Sequence, residues 1–327
     1  MNQGNILVTG GAGYIGSHIV LALQAAGFGV VILDDLSTGQ LRSLHESCVF
    51  VKGDVGDRRL VYDTLAEYEC VGVMHLAGSI IVPESVRRPF DYYANNTSRA
   101  QQLVEACVAY GLGAFVFSST AAVYGLAEKM PVSEHSPTVP INAYGHSKLM
   151  TEQILLDAVQ AYDLPVTMLR YFNVAGADPE LRCGPQPSAG THLIKVACDV
   201  ALGRRDVLQV FGTDYSTPDG TCIRDFIHVS DLAQAHVAAL RFLLNGGNLP
   251  IANCGYGRGY SVREIVAAVE RVTDSALNTA DAARRPGDPP MMIADNRLLQ
   301  QVLGFQPQRA DIDLIINDTY RWMQLHG

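Results

Sequence analysis

An α/β protein with a doubly wound parallel sheet and a smaller C-terminal α/β lobe is predicted by three features of the 327-residue chain. Short apolar runs alternate with helix-spaced segments through the first half. A glycine cluster, Gly10-Gly11-Ala12-Gly13-Tyr14-Ile15-Gly16, separates the first apolar run from the first helical segment. Two carboxylates, Asp34 and Asp35, end the second apolar run.

Taken in order, Ile6–Thr9, Val30–Leu33, Val49–Val51, Val71–Leu76, Phe115–Ser118 and Val166–Arg170 read as strands buried on both faces, because they are continuous β-branched and aromatic runs. Helical spacing at Ile15, Ile19, Ala22 and Ala26, then over Gln102–Tyr110 and Ser147–Tyr162, supplies the crossovers. Beyond about residue 175 the alternation weakens, and Pro/Gly-rich stretches occur at 184–190, 212–220 and 284–290. Helices are expected over 191–203, 230–244 and 261–273, with short strands between. This divides the chain into a dinucleotide-binding domain over 1–175, to which later segments return, and a lobe over 176–327.

Apolar residues at 48% and charged residues at 17% exclude a disordered chain. A net charge of -9 argues against a general electrostatic grip on nucleic acid or on an anionic membrane. Any anionic ligand must therefore meet locally gathered positive charge. The seven cysteines are scattered, without a Cys-x-x-Cys pair or a His pair at zinc-ligand spacing. They read as buried thiols of a reducing compartment, with no metal site. No charged residue precedes Asp34, yet glycines interrupt the apolar N-terminal segment and no basic stretch leads it. A buried strand–helix–strand unit is expected there, not a signal peptide or membrane span, and a cytoplasmic protein.

Gly10, Gly13 and Gly16 fall between strand and helix, where a tight turn, close approach to a pyrophosphate and helix–strand packing each favour glycine. This is the Rossmann-type pattern. Asp34 lies 18 residues beyond Gly16, placed for a ribose hydroxyl pair and against a 2′-phosphate, which favours NAD over NADP. Asp54 after the third strand is placed to reach the adenine edge, and Leu76-Ala77-Gly78 after the fourth to lie under the cofactor; each also reads as an ordinary strand end.

Tyr144 and Lys148 are four apart where a helix is predicted, so they share a face. A nearby ammonium is expected to stabilise the phenolate and make Tyr144 usable as a base. With four lysines and 14 tyrosines, about 0.2 pairs at this spacing arise by chance. Ser118-Ser119-Thr120 ends a strand just before this helix, and a hydroxyl there can meet the same substrate oxygen. Together these groups point to hydride transfer.

The chain resembles the extended short-chain dehydrogenase/reductases, and among them the UDP-sugar 4-epimerases, nearly end to end. The resemblance is carried by VTGGAGYIGSH at 8–18, FSSTAAVYG at 117–125, YGHSKLMTEQIL at 144–155, LRYFNVAGA at 169–177 and GTDYSTPDGTCIRDFIHVSDLA at 212–233. It implies reversible epimerisation at C4 of a UDP-hexose, UDP-galactose to UDP-glucose, by transient hydride transfer to tightly held NAD. Tyr144 would be the base, Lys148 would hold the nicotinamide ribose, and Thr120 stands where the family usually has serine. Besides the glycines and Asp34, Asp54, Leu76, Ala77, Gly78, Tyr144 and Lys148, it places Tyr14, Ile15, Val55, Asn95, Ser118 and Tyr171 at the cofactor. It assigns Asn173, Arg224 and Arg285 to the diphosphate, Asp288 to a ribose, and Leu193 and Phe211 to the uracil, with Thr120, Tyr144 and His192 completing the substrate site.

Three positions depart from the family pattern: Ile80 for a lysine near the cofactor, His192 for an asparagine beside the uridine, and Met292 where room around the sugar C2 substituent is set. Sister dehydratases and decarboxylases carry acidic residues just after the strand-five hydroxyl. Here Ala121 and Ala122 stand there, which disfavours elimination. A 4-epimerase of an N-acetylhexosamine, pentose or uronate, a simple reductase, and a non-catalytic NAD-sensing protein remain alternatives. By resemblance, helices over 95–110 and 147–162 would form a homodimer's bundle; the apolar positions alone serve the protomer's own sheet equally well.

Overall fold

The computed structural model describes residues 3–41, 48–186, 192–285 and 287–326. Seven parallel strands form the main sheet: β1 (Asn5–Thr9), β2 (Gly29–Asp34), β3 (Val49–Lys52), β4 (Cys70–His75), β5 (Phe115–Thr120), β6 (Val166–Tyr171) and, from far along the chain, residues Ile251–Cys254. Counting β7 (Asn173–Ala175), β8 (Leu208–Phe211) and β9 (Ile223–His228) between them, that last strand is β10. The order across the sheet is β10-β6-β5-β4-β1-β2-β3, so the winding reverses between β1 and β4. In such a sheet ligands bind beyond the carboxyl ends of the strands at that reversal.

Helices cover both faces. Tyr14–Ala25 and Val229–Leu244 pack on one, where Ile19, Val20 and Leu23 meet Leu232, Ala235 and Leu240. Arg58–Glu67, Arg99–Tyr110 and Ala143–Tyr162 cover the other, burying Leu65, Leu103 and Leu155 against Phe115, Phe117 and Met168. The second lobe is centred on β9, flanked by β7, β11 (Gly259–Ser261) and, after β12 (Thr279–Ala282), the two-residue β13 (Met291–Met292). β8 pairs with β12. Helices Leu193–Ala201, Val262–Thr273 and Ile312–His326 pack there around Ile194, Ile265 and Ile316.

The departures from the sequence reading have local causes. β3 is an edge strand, paired only with β2, and Val49 is 36% exposed; it is not buried on both faces. The helix expected from Ser147 starts at Ala143, because the Asn142 side chain accepts the Gly145 N–H at 2.9 Å and caps an earlier turn. The helix expected from Gln102 starts at Arg99 and continues a π-helical turn, Tyr93–Ser98. Helices Arg58–Glu67 and Ile312–His326 lie where none was expected; the first is capped by Asp57, which accepts from the N–H groups of Arg59 and Leu60. Residue 191 of an expected helix, and residues 187–190 and 286 of two Pro/Gly-rich stretches, lie outside the described residues.

Cys70, Cys107, Cys183, Cys198, Cys222 and Cys254 are buried free thiols, and burial pushes Cys70, Cys183 and Cys198 up to about 12. No helix among the described residues is long and apolar enough to cross a membrane.

Gly16 marks where the first helix meets the loop before it. A methyl group there would collide with the Gly10 carbonyl oxygen and stand 2.7 Å from Gly11 Cα. Overpacking of this kind costs about 1–3 kcal/mol. Gly16→Ala is expected to lower the urea midpoint by a corresponding amount and to weaken NAD binding. An unchanged midpoint with NAD still bound would mean the turn relaxes freely.

Candidate active site

The cradle between β1 and the first helix is assembled from backbone. Gly10 has φ +71°, and a methyl group there would stand 2.7 Å from Ala77 N, so the loops after β1 and β4 are in direct contact. Gly13 precedes the helix, and no side chain of the described residues caps that terminus. Its first N–H groups therefore face the loop as an anion site. Asp34, 7% exposed, accepts from Ala12 N at 3.0 Å and Leu36 N at 2.8 Å. Burial pushes its carboxyl above the ordinary range, while the two N–H bonds oppose that shift. A glycine cradle, an open helix terminus and a carboxylate at the end of β2 are the parts an NAD molecule requires, so the residues present fit it.

The remaining cofactor candidates divide into two kinds. Tyr14 donates its hydroxyl to Gly176 O at 2.6 Å, Ile15 packs on the core and Val55 is buried in it, so their side chains are committed to structure. Asp54 pairs with Arg99 at 3.1 Å, and Arg99 donates to Asn95 Oδ1 at 2.8 Å. Asn95 in turn donates to Ser79 Oγ at 2.9 Å. Leu76 N donates to Thr9 O at 3.1 Å and Ala77 N to Thr9 Oγ1 at 3.4 Å, which holds this loop level with the cradle. Gly78 lies beneath Lys148, and a methyl group on it would stand 3.6 Å from Nζ. Ile80 is exposed.

At the reaction centre, Thr120 ends β5, accepts from Ala122 N at 3.1 Å, and stands close enough to Tyr144 for its side chain to act on the phenol. Lys148 is 3% exposed; its Nζ donates to Ser118 O at 3.0 Å and lies 4.8 Å from the Phe117 ring centroid. Burial lowers its pKa to about 8, against the opposing pull of Glu152. The Tyr144 phenol is pushed up by burial, which the Thr120 side chain opposes, and the Lys148 ammonium is turned toward the Ser118 carbonyl. Tyr92 stands edge-on to Tyr144 at 6.4 Å, fixed by donating its hydroxyl to Ile81 O at 2.7 Å. Tyr171, level with Thr120 on β6, also lies within electrostatic reach of Tyr144.

In the second lobe, Arg224 Nη2 and Asp288 Oδ1 face each other at 3.4 Å. Arg285 covers the Phe211 ring at 3.9 Å, so that face of the aromatic carries a cation. Leu193 packs on Val210 and Tyr215, Asn173 opens β7, and His192 is exposed ahead of the helix it precedes. Met292 lies level with Arg224 and packs with Ala121, Tyr124 and Phe172, which bridges this lobe to the end of β5.

Several residues escaped the sequence reading. Asn96, buried beside Asn95, accepts Ser79 N at 2.7 Å and donates to Ser147 Oγ at 3.0 Å, tying the loop after β4 to the Tyr144 helix. Gln186 donates to Ala12 O at 3.0 Å, linking the lobe to the cradle. The Tyr215 hydroxyl is buried without a partner among the described residues, close to Asp288 and Arg224. The Asn-Asn pair was a visible signal; the other two had none.

Comparison with known proteins places the chain in a family. Residues 6–255 match the NAD dependent epimerase/dehydratase family. A UDP-glucose 4-epimerase from Azospirillum brasilense is 53% identical over 97% of this chain and 91% of its own. The crystal structure of a UDP-glucose 4-epimerase from Brucella ovis in complex with NAD superposes with a TM-score of 0.94, at 44% identity, covering 97% of this chain and 98% of that one. One from Stenotrophomonas maltophila, with bound NAD and formylated UDP-arabinopyranose, gives 0.95 at 38% identity, over 99% and 98%. The chain belongs to the NAD dependent epimerase/dehydratase family.

Proposed function

We propose that the chain interconverts UDP-galactose and UDP-glucose by inverting C4. The observation that carries this is the meeting of Thr120, Tyr144 and Lys148 at the strand edge between an NAD cradle and a lobe bearing Arg224, Arg285 and Asp288. Bound NAD supplies a hydride acceptor and, in the return step, a donor. Tyr144, as phenolate, removes the C4 hydroxyl proton while Thr120 hydrogen-bonds the same oxygen. Lys148, a cation one turn along the same helix face, favours the phenolate by its sign and holds the cofactor's ribose. Arg224 and Arg285 hold the diphosphate by forked, charge-assisted hydrogen bonds, leaving the sugar as the moving part. Inversion requires the 4-keto sugar to present its second face, so the ring turns while the diphosphate stays anchored. Ala121 and Ala122 offer no acid for elimination, which supports epimerisation over dehydration.

We further propose a homodimer through helices Arg99–Tyr110 and Ala143–Tyr162, supported by exposed Met150 and Tyr162 on the second and by exposed Phe90 nearby in the chain. The buried free thiols of Cys70, Cys107, Cys183, Cys198, Cys222 and Cys254 support a reducing, cytoplasmic setting.

Purified protein given UDP-galactose, with no cofactor added, should produce UDP-glucose by proton NMR and stop at one mixture reachable from either sugar. No conversion even with added NAD, but conversion of UDP-N-acetylgalactosamine, would reassign the sugar; no conversion of either would favour the sensing alternative. Tyr144→Phe should retain NAD and the fold while losing about 10²–10⁴-fold in turnover, the range of a lost acid–base group. Activity within tenfold would remove Tyr144 as the base. Light scattering should give about twice the 35.3 kDa of one chain; a single-chain mass would dismiss the dimer.

A further inference from the structure

We infer that Glu152 is a positioning residue of the reaction centre: tied to Ser119 and Arg170, it aligns the Tyr144 helix on β5 and supplies the counter-charge of Lys148. The inference rests on Lys148 acting as proposed above.

Three consecutive residues of β5 serve three different partners. The Ser118 carbonyl takes the Lys148 ammonium, and the Thr120 side chain meets Tyr144. Ser119, on the same face as Phe117, donates to Glu152 Oε1 at 2.5 Å. Glu152 follows Lys148 by one helical turn on the same face and is completely buried. Arg170, 3% exposed, grips it in bidentate fashion, Nε to Oε1 at 2.8 Å and Nη2 to Oε2 at 2.5 Å. Arg170 lies level with Ser119 across β5 and β6, and Asn253 level with Arg170 across β6 and β10. Arg170 Nη1 donates to the Tyr124 hydroxyl at 3.1 Å, which donates to Asn253 Oδ1 at 2.7 Å. The carboxylate is thus registered against three strands at once. A shift of the helix by one turn would break the bonds of Glu152 to Ser119 and to Arg170.

Burying an ion pair seldom stabilises a fold more than apolar residues of the same volume would. Its position suggests its use. From β4, His75 meets Lys148 as a neutral ring, with burial pushing it down to about 3. Tyr92 from helix Pro89–Tyr92, and Tyr171 from β6, are phenols pushed up by burial and uncharged. Tyr144 lies on the same helix, and Arg170 stands beyond Glu152. Glu152 is the carboxylate that opposes the loss of the Lys148 proton. Arg170 holds that carboxylate in place by its two hydrogen bonds.

Lys148 is one of four lysines. In NAD-saturated protein labelled with 13C-lysine, the ε-carbon signal lost in Lys148→Arg identifies it, and its midpoint can be followed against pH. Glu152→Gln keeps the shape and the reach to Ser119 but removes the charge. It should lower that midpoint by about one unit, a tenfold change in the ammonium-to-amine ratio, and move the alkaline limb of kcat/KM with it. Glu152→Gln with Arg170→Met removes both charges; its midpoint should fall between those of Glu152→Gln and the parent, and it carries the measurement if the single variant does not fold. Midpoints within about 0.2 units of the parent in the folded variants would overturn the inference and leave Glu152 a brace only. A displaced midpoint in protein that converts no sugar would sink the proposed reaction and leave this inference standing.

Discussion

Parallel strands end on the same edge of their sheet, and the site depends on that constraint. Gly10 after β1, Asp34 at the end of β2, Ala77 after β4, Thr120 at the end of β5 and Tyr171 at the end of β6 come from five distant stretches of sequence. One edge gathers them without any long-range contact having to be specified separately. The register then sets the details. Thr120 lies level with Tyr171, and Ser119 with Arg170, so the contacts of Thr120 with Tyr144 and of Ser119 with Glu152 cannot be exchanged without moving a strand.

Burial does the electrostatic work. The interior of the centre holds Lys148, Glu152, Arg170 and His75, each at most 3% exposed. In such surroundings an uncompensated charge is costly, so each cation has a carboxylate or a carbonyl against it, and His75 is left neutral beside Thr9 Oγ1 at 2.7 Å. The polar second lobe is arranged differently. Arg224, Arg285 and Asp288 sit nearer the surface, where water screens charge and an unpaired cation costs less.

The fold and the reaction centre were legible because they depend on local pattern: apolar runs of strand length, a glycine spacing, and a Tyr and Lys four apart. Residues whose roles depend on tertiary neighbours were not. Asn96 reads like Asn95 until the π-helical turn points Asn96 at the Ser79 backbone and Ser147, and Asn95 at the Ser79 hydroxyl and Arg99. Glu152 reads as one more polar helix position, and only the packing against β5 and β6 shows that it is buried. The edge position of β3 is likewise a property of strand order, which a run of three apolar residues does not encode.

The late arrival of β10 has a consequence for how this protein is made. The sheet that begins at Asn5 gains its last strand only when Cys254 has left the ribosome, and the face bearing Ile19 and Leu23 is covered only by a helix that ends at Leu244. Until then β6 has an open edge and the first helix an uncovered apolar flank, both of which invite association between nascent chains. The two lobes are therefore not successive beads on a string: synthesis must pass well into the second before the first can close.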